Sequence, residues 1–212
     1  MKTSYMTMLY SLPAIIIGLT IHEFMHAWTS FKLGDPTARD QGRLTLNPIK
    51  HIDLLGFFFL IVAGFGWAKP VSFTRANLLH PRRDVALIAA AGPVSNLLLA
   101  LTVSVLLRLI LLVFPFNGDP AYTIFLNILI YGAYINYGLF IFNLIPIPPL
   151  DGSHILFSAI EIRPETEAKL YRYGTFALFG ILFIESRANI DILPIGKVVK
   201  AMADGVFGLL GF

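Results

Sequence analysis

The sequence predicts an all-α polytopic membrane protein with about four to six transmembrane helices and a re-entrant or hairpin element after the first, and three observations predict it. Of 212 residues, 56% are hydrophobic and only 14% charged, with a mean hydropathy of +0.73, far from the balance of a soluble domain. Several apolar runs approach or exceed the roughly 20 residues that a spanning helix needs. Lysine and arginine gather in the segments between these runs, the distribution expected of positive-inside bias.

The first run, about Met8 to Phe31, follows a short stretch carrying only Lys2. It resembles a secretory signal but has no clear small-residue cleavage site and holds ionisable residues, so it is expected to be retained. Lys32, Arg39, Arg43 and Lys50 follow it, and Lys69, Arg75, Arg82 and Arg83 follow the second run, LLGFFFLIVAGFG. Both basic segments should therefore face the cytoplasm. The run between them would then enter and leave on one side, and its length and Gly56, Gly64 and Gly66 suit a re-entrant or hairpin element shielded by protein. A true second span is the alternative.

From Val85 to Phe116 a long helix should cross to the far side, where FNGDPA carries no lysine or arginine, and Tyr122 to about Leu144 should return. Pro146, Pro148 and Pro149 lack backbone donors, so the chain should unwind there before helix resumes after Asp151. The run from Tyr173 to Ile184 is short, and the tail beyond it either spans or lies at the interface. No repeat, linker or soluble insert is visible, and one membrane domain over residues 1–212 is expected.

Zero cysteines exclude a disulfide framework, a thiolate metal site and a cysteine nucleophile. The net charge of +3 could suggest nucleic acid, but the basic residues form no patch, so no nucleic-acid partner is expected.

Within the first span lies HEFMH, an H-E-x-x-H pattern. On a helix the i, i+4 spacing puts His22 and His26 on one face, where both can hold one Zn2+ ion while Glu23 serves as general base. A solvated polar face would be the ordinary reading on a soluble helix; inside lipid, ionisable groups are costly and mark function. Catalytic zinc generally takes three protein ligands. Asp151, in LIPIPPLDGSHIL, is the leading third, although an aspartate there could simply cap the next helix. His154 is the runner-up ligand, with packing or support of the site as its other role. Asn96, one turn after Gly92 in AAAGPVSNLLLA, either glues helices together or orients substrate or donates to a developing oxyanion, and Asn143 has the same two readings. His51 and His80 carry no assigned role.

Taken together, HEFMHA, GRLTLNPIKHID, AGPVSN and NLIPIPPLDG resemble, in order, the motifs of the site-2 protease family of intramembrane zinc metalloproteases, peptidase family M50. The resemblance spans roughly Pro13 to Ile160 and implies zinc held by residues matching His22, His26 and Asp151, a general base matching Glu23, and an active-site position for Asn96. It further implies regulated intramembrane proteolysis of single-span membrane-protein substrates by a multi-pass protein of the cell membrane, with its site near the cytoplasmic side. With no room for an inserted PDZ or CBS domain, the chain looks like a minimal form. Neither a G-x-S-G nor a G-x-G-D pattern is present, so serine and aspartyl intramembrane chemistries fit poorly. A membrane metal transporter or metal-binding protein is the alternative, and it would need polar residues at successive depths of several spans.

Overall fold

A computed structural model describes residues 5–63, 66–160, 162–188, 190 and 192–212. Lys2 and Gly64 lie outside the described residues. The chain runs through α1 (Tyr5–Lys32), α2 (Thr37–Asp40), α3 (Leu54–Ala63), α4 (Pro81–Val113), α5 (Pro120–Asn143), α6 (Asp151–Ala159), α7 (Pro164–Ala188) and α8 (Ile195–Leu210), and the fold is all-α. Three of these, α1, α4 and α5, are long and apolar enough to cross a membrane. The expectation of four to six adds α7 and α8. The first of these is 25 residues long but opens with Glu165 and Glu167 and ends with Arg187, and the second has 16 residues.

Local chemistry explains the boundaries. Pro81 and Pro120 stand at the starts of α4 and α5, where a missing N–H costs nothing. Asp119 caps α5 by accepting from Tyr122 N at 2.8 Å, and Asp84 reaches back to His80 N at 2.9 Å. Beyond Asn143 the prolines of the IPIPP stretch stop the helix, and the Pro148–Pro149 bond is cis.

α1, α4 and α5 pack on one another, with α6 against α4 and α8 against α5. Their outer faces present Leu98, Leu109 and Leu112, as lipid contact requires, while the interior is built from small residues and paired polar groups. Ala100, Ala133, Tyr137 and Ala203 are buried together, and the Ser104 and Tyr137 hydroxyls lie 3.1 Å apart.

The run after the first span is a hairpin-like element. α3 has ten residues, about 15 Å of helix, half the thickness of a bilayer core. The chain then returns: Lys69 N donates to His51 O at 2.9 Å, and Ile52 and Ala68 form an antiparallel bridge. Gly56 and Gly66 permit this closeness, because a side chain on Gly56 would strike the Trp67 carbonyl and one on Gly66 the Gly56 carbonyl. Arg43 locks the return by donating to the carbonyls of Lys50, at 2.6 Å, and Lys69.

Candidate metal centre

α1 and α4 run antiparallel, and the one turn of α1 from His22 to His26 faces the two turns of α4 from Ile88 to Asn96. His26 faces Ile88, His22 faces Asn96, and Gly92 lies between. Gly92 has to lack a side chain, since a Cβ there would stand 2.6 Å from His26 Cε1 and 2.7 Å from His22 Cε1. His22, Glu23 and His26 are all buried.

Hydrogen bonds fix which ring nitrogen of each histidine carries the proton. His26 Nδ1 meets the carbonyl of Ile88 at 2.7 Å, an obligate acceptor, so Nδ1 is the donor. His22 Nδ1 meets Asn96 Oδ1 at 2.7 Å. The orientation of that amide follows from its other contacts: Asn96 Nδ2 donates to Gly18 O at 3.1 Å and to Asn136 Oδ1 at 3.0 Å, while Asn136 Nδ2 donates to Gly132 O at 2.9 Å. A directed chain from two backbone carbonyls through two carboxamides thus places the proton of His22 on Nδ1. Both Nε2 lone pairs then point inward, 2.9 Å apart.

Asp151 completes the group. It occupies the first turn of α6, which Gly152 lets dock on the end of α5; a Cβ at Gly152 would lie 2.6 Å from Ile145 O. Asp151 Oδ2 lies 3.1 Å from His22 Nε2 and Oδ1 lies 3.4 Å from His26 Nε2. Oδ2 is buried without a hydrogen-bond partner. Two lone pairs and a carboxylate facing one another repel unless a cation lies among them. Their separations of 2.9, 3.1 and 3.4 Å are close to the roughly 3.3 Å edge of a tetrahedron with zinc–ligand bonds near 2.05 Å. The donor set therefore fits zinc, and these three residues form the only cluster of that kind among the described residues.

Glu23 Oε2 accepts from Val71 N at 3.0 Å, which ties it to the extended segment after α3. Sequence reasoning has no signal for this bond, because a backbone N–H carries no letter. The proposed substrate or oxyanion role of Asn96 meets a different arrangement: the side chain is fully buried, both amide hydrogens are engaged by Gly18 and Asn136, and its oxygen orients His22. Asn143 Nδ2 donates back to Leu139 O at 2.9 Å, and no hydrogen bond joins it to the ligand group. His154 is not among the three converging ligands; its Nδ1 lies 2.7 Å from the Tyr171 hydroxyl. His51 is buried, with Nε2 donating to Thr45 O at 2.8 Å.

Comparison with known proteins adds the family context. A family model described as Peptidase family M50 matches residues 109–184, the stretch that contains Asp151. Similar proteins include three named as putative zinc metalloproteases. YwhC of Bacillus subtilis is 39% identical over 87% of this chain and 84% of its own length. Rip2 of Mycolicibacterium smegmatis is 32% identical over 82% of this chain and 66% of its own. MJ0611 of Methanocaldococcus jannaschii is 32% identical over 72% of each. No solved structure matches the chain significantly.

Proposed function

The chain belongs to peptidase family M50 and is a zinc metalloprotease, and from that premise we propose that it hydrolyses a peptide bond within or beside the transmembrane segment of single-span membrane-protein substrates. The observation that carries this reading is the depth of the converging ligands. His26 lies six residues before the end of α1 at Lys32, about 9 Å along the axis, and His22 about 15 Å. The basic segments beside that end support a site near the cytoplasmic face of a multi-pass protein in the cell membrane.

Zinc held by His22, His26 and Asp151 would acidify water and polarise a carbonyl. Glu23 takes the proton of the attacking water and returns it to the departing amide nitrogen. The Val71 N–H holds one carboxylate oxygen and leaves the other for this transfer. A helical substrate must unwind first, because its carbonyls are otherwise engaged in i to i−4 hydrogen bonds. A cavity of about 410 Å³ between α1, α3 and α5 could take the unwound stretch; Ile16, Leu19, Thr20, Trp67, Leu139 and Phe142 line it, and Leu19 and Thr20 lie one turn before the ligand pair.

Transport gains no support from the polar residues of the spans. Asn96, Asn136, Ser104 and Tyr137 are buried and bind one another or His22. The test is cleavage of single-span membrane proteins by the purified chain in lipid, alongside zinc analysis. Glu23→Gln should keep about one zinc while cleavage falls by at least about 100-fold. His22→Ala and His26→Ala should lose the metal. Normal cleavage by Glu23→Gln, or full zinc in both histidine variants, would remove the assignment.

A further inference from the structure

Peptide hydrolysis needs a donor for the oxygen that becomes negative as water adds; Asn96 has both amide hydrogens engaged by Gly18 and Asn136, and Asn143 gives one of its two to Leu139 O. We propose that His154, held by Tyr171, is a catalytic residue whose Nε2–H donates to the carbonyl oxygen of the scissile bond. This rests on the protease reading above.

Four observations support it. His154 follows Asp151 by three residues on α6, so the two side chains share a face and the imidazole stands beside the ligand group. Its ring also contacts Phe73, centroid to centroid 5.9 Å, two residues along the extended segment from the Val71 N–H that holds Glu23. The imidazole is thereby bracketed by the elements that carry the third ligand and the anchor of the base.

Next, the ring is oriented. The Tyr171 hydroxyl lies 2.7 Å from His154 Nδ1. A phenol is a far stronger acid than a neutral imidazole N–H, so the short bond is O–H to Nδ1, and the ring proton is on Nε2. α7, which carries Tyr171, is itself fastened: Glu167 pairs with Arg75 at 2.5 Å, and Gly174 lets the helix close on Pro148, where a Cβ would lie 2.9 Å from the proline Cδ. Burial pushes the imidazole below the usual histidine range, in keeping with a neutral ring.

Finally, Nε2 is available. Among the described residues it meets no hydrogen-bond partner, yet it is not sealed in the interior as the orphaned nitrogens of Arg43 and His51 are.

The step balances without a proton leaving His154. Water oxygen bonds to the carbonyl carbon, the π pair moves to the carbonyl oxygen, and Glu23 takes one water proton. The Nε2–H hydrogen-bonds to that oxygen as charge builds. The carbonyl then re-forms, the C–N bond breaks with its electron pair left on nitrogen, and nitrogen takes the proton from Glu23. Tyr171 is a positioning residue that fixes the tautomer.

The experiment compares wild type, His154→Ala, His154→Gln and Tyr171→Phe for zinc content, kcat, KM and inhibition by a phosphinic peptide that mimics the tetrahedral state, and reads the His154 ring by 15N NMR in metal-free protein. In His154→Ala, kcat should fall about 100- to 1,000-fold with KM within about threefold, zinc retained, and phosphinate affinity reduced by about the factor lost in kcat/KM. His154→Gln, whose amide can donate, should recover part of that loss, and it serves as the test if the alanine variant does not fold. Tyr171→Phe should cost about tenfold and convert the single Nε2–H tautomer seen in wild type to a mixture. Three results overturn the inference: kcat within threefold of wild type in His154→Ala, zinc loss reversed by excess metal, or unchanged phosphinate affinity. Wild-type protein that binds zinc and cleaves nothing removes the protease reading with it, whereas wild-type cleavage beside an unaffected His154→Ala removes only this inference.

Discussion

At the scale of single residues, the unexpected actor is Asn96. Its oxygen receives the Nδ1 proton of His22, and its two amide hydrogens are held by Gly18 and Asn136, so the imidazole has one tautomer and one orientation. Truncating it leaves a buried N–H without a partner and frees the ring to turn or to shift its proton onto the nitrogen needed by the metal. Asn96→Leu is therefore expected to weaken zinc binding by about 10- to 100-fold while the helical content persists, as read by competitive chelator titration and circular dichroism. Unchanged affinity would return Asn96 to a packing role. The sequence shows the i, i+4 histidines and the carboxylate at the unwound end of a span, because spacing and proline express local geometry. It cannot show that α1 and α4 meet in a register that sets 22 against 96 and 26 against 88, since that depends on a contact between distant segments.

At the scale of elements, α3 and its return decide whether the segments on either side of the run lie on one face. The basic segments on either side of the apolar run were legible as same-sided from their charges alone, and the pairing of His51 with Lys69 and of Ile52 with Ala68 brings them into direct contact. The extended stretch that follows α3, with its hold on Glu23, was not legible: VSFT has strand-like letters but no strand partner in the sequence. Arg43 donates to the carbonyls of both Lys50 and Lys69, so these two residues cannot lie across a membrane from each other. In a chain with no cysteine, Lys50→Cys and Lys69→Cys should therefore both react with an impermeant thiol reagent from the cytoplasmic side alone. Reaction from opposite sides would make the run a full span and leave the hairpin without support.

At the scale of the whole molecule, an apolar body of spanning helices is capped at one end by loops held through buried polar hubs, and the ligand group lies where the two meet. Asp35 is the densest hub. Fully buried just beyond α1, it accepts from Ser30 Oγ, Thr37 N and Oγ1, Thr74 N and Asn77 Nδ2 at 2.5 to 3.1 Å. Burial alone would push its carboxyl upward, but the bonds from Thr37, Asn77 and Thr74 outweigh that and hold it at about 2 against an ordinary 3.8. A carboxyl with a lowered folded-state value stabilises the fold fully above its unfolded value near 4, and the contribution disappears as the pH falls through about 2. With solvent screening included, the contribution is about 1 kcal/mol. Asp35→Asn should thus lower the thermal midpoint near neutrality, and the gap from wild type should close between about pH 4 and pH 2, as followed by thermal unfolding in detergent. Because Asp35 ties the end of α1 to the segment running from Val71 to Asn77, the same variant should also loosen the Glu23 anchor and increase proteolytic nicking around residues 70–77 at neutral pH. A constant gap across that pH range would show that the Asp35 hydrogen bonds do not set its ionisation, and the hub would be only a packing feature of the cap.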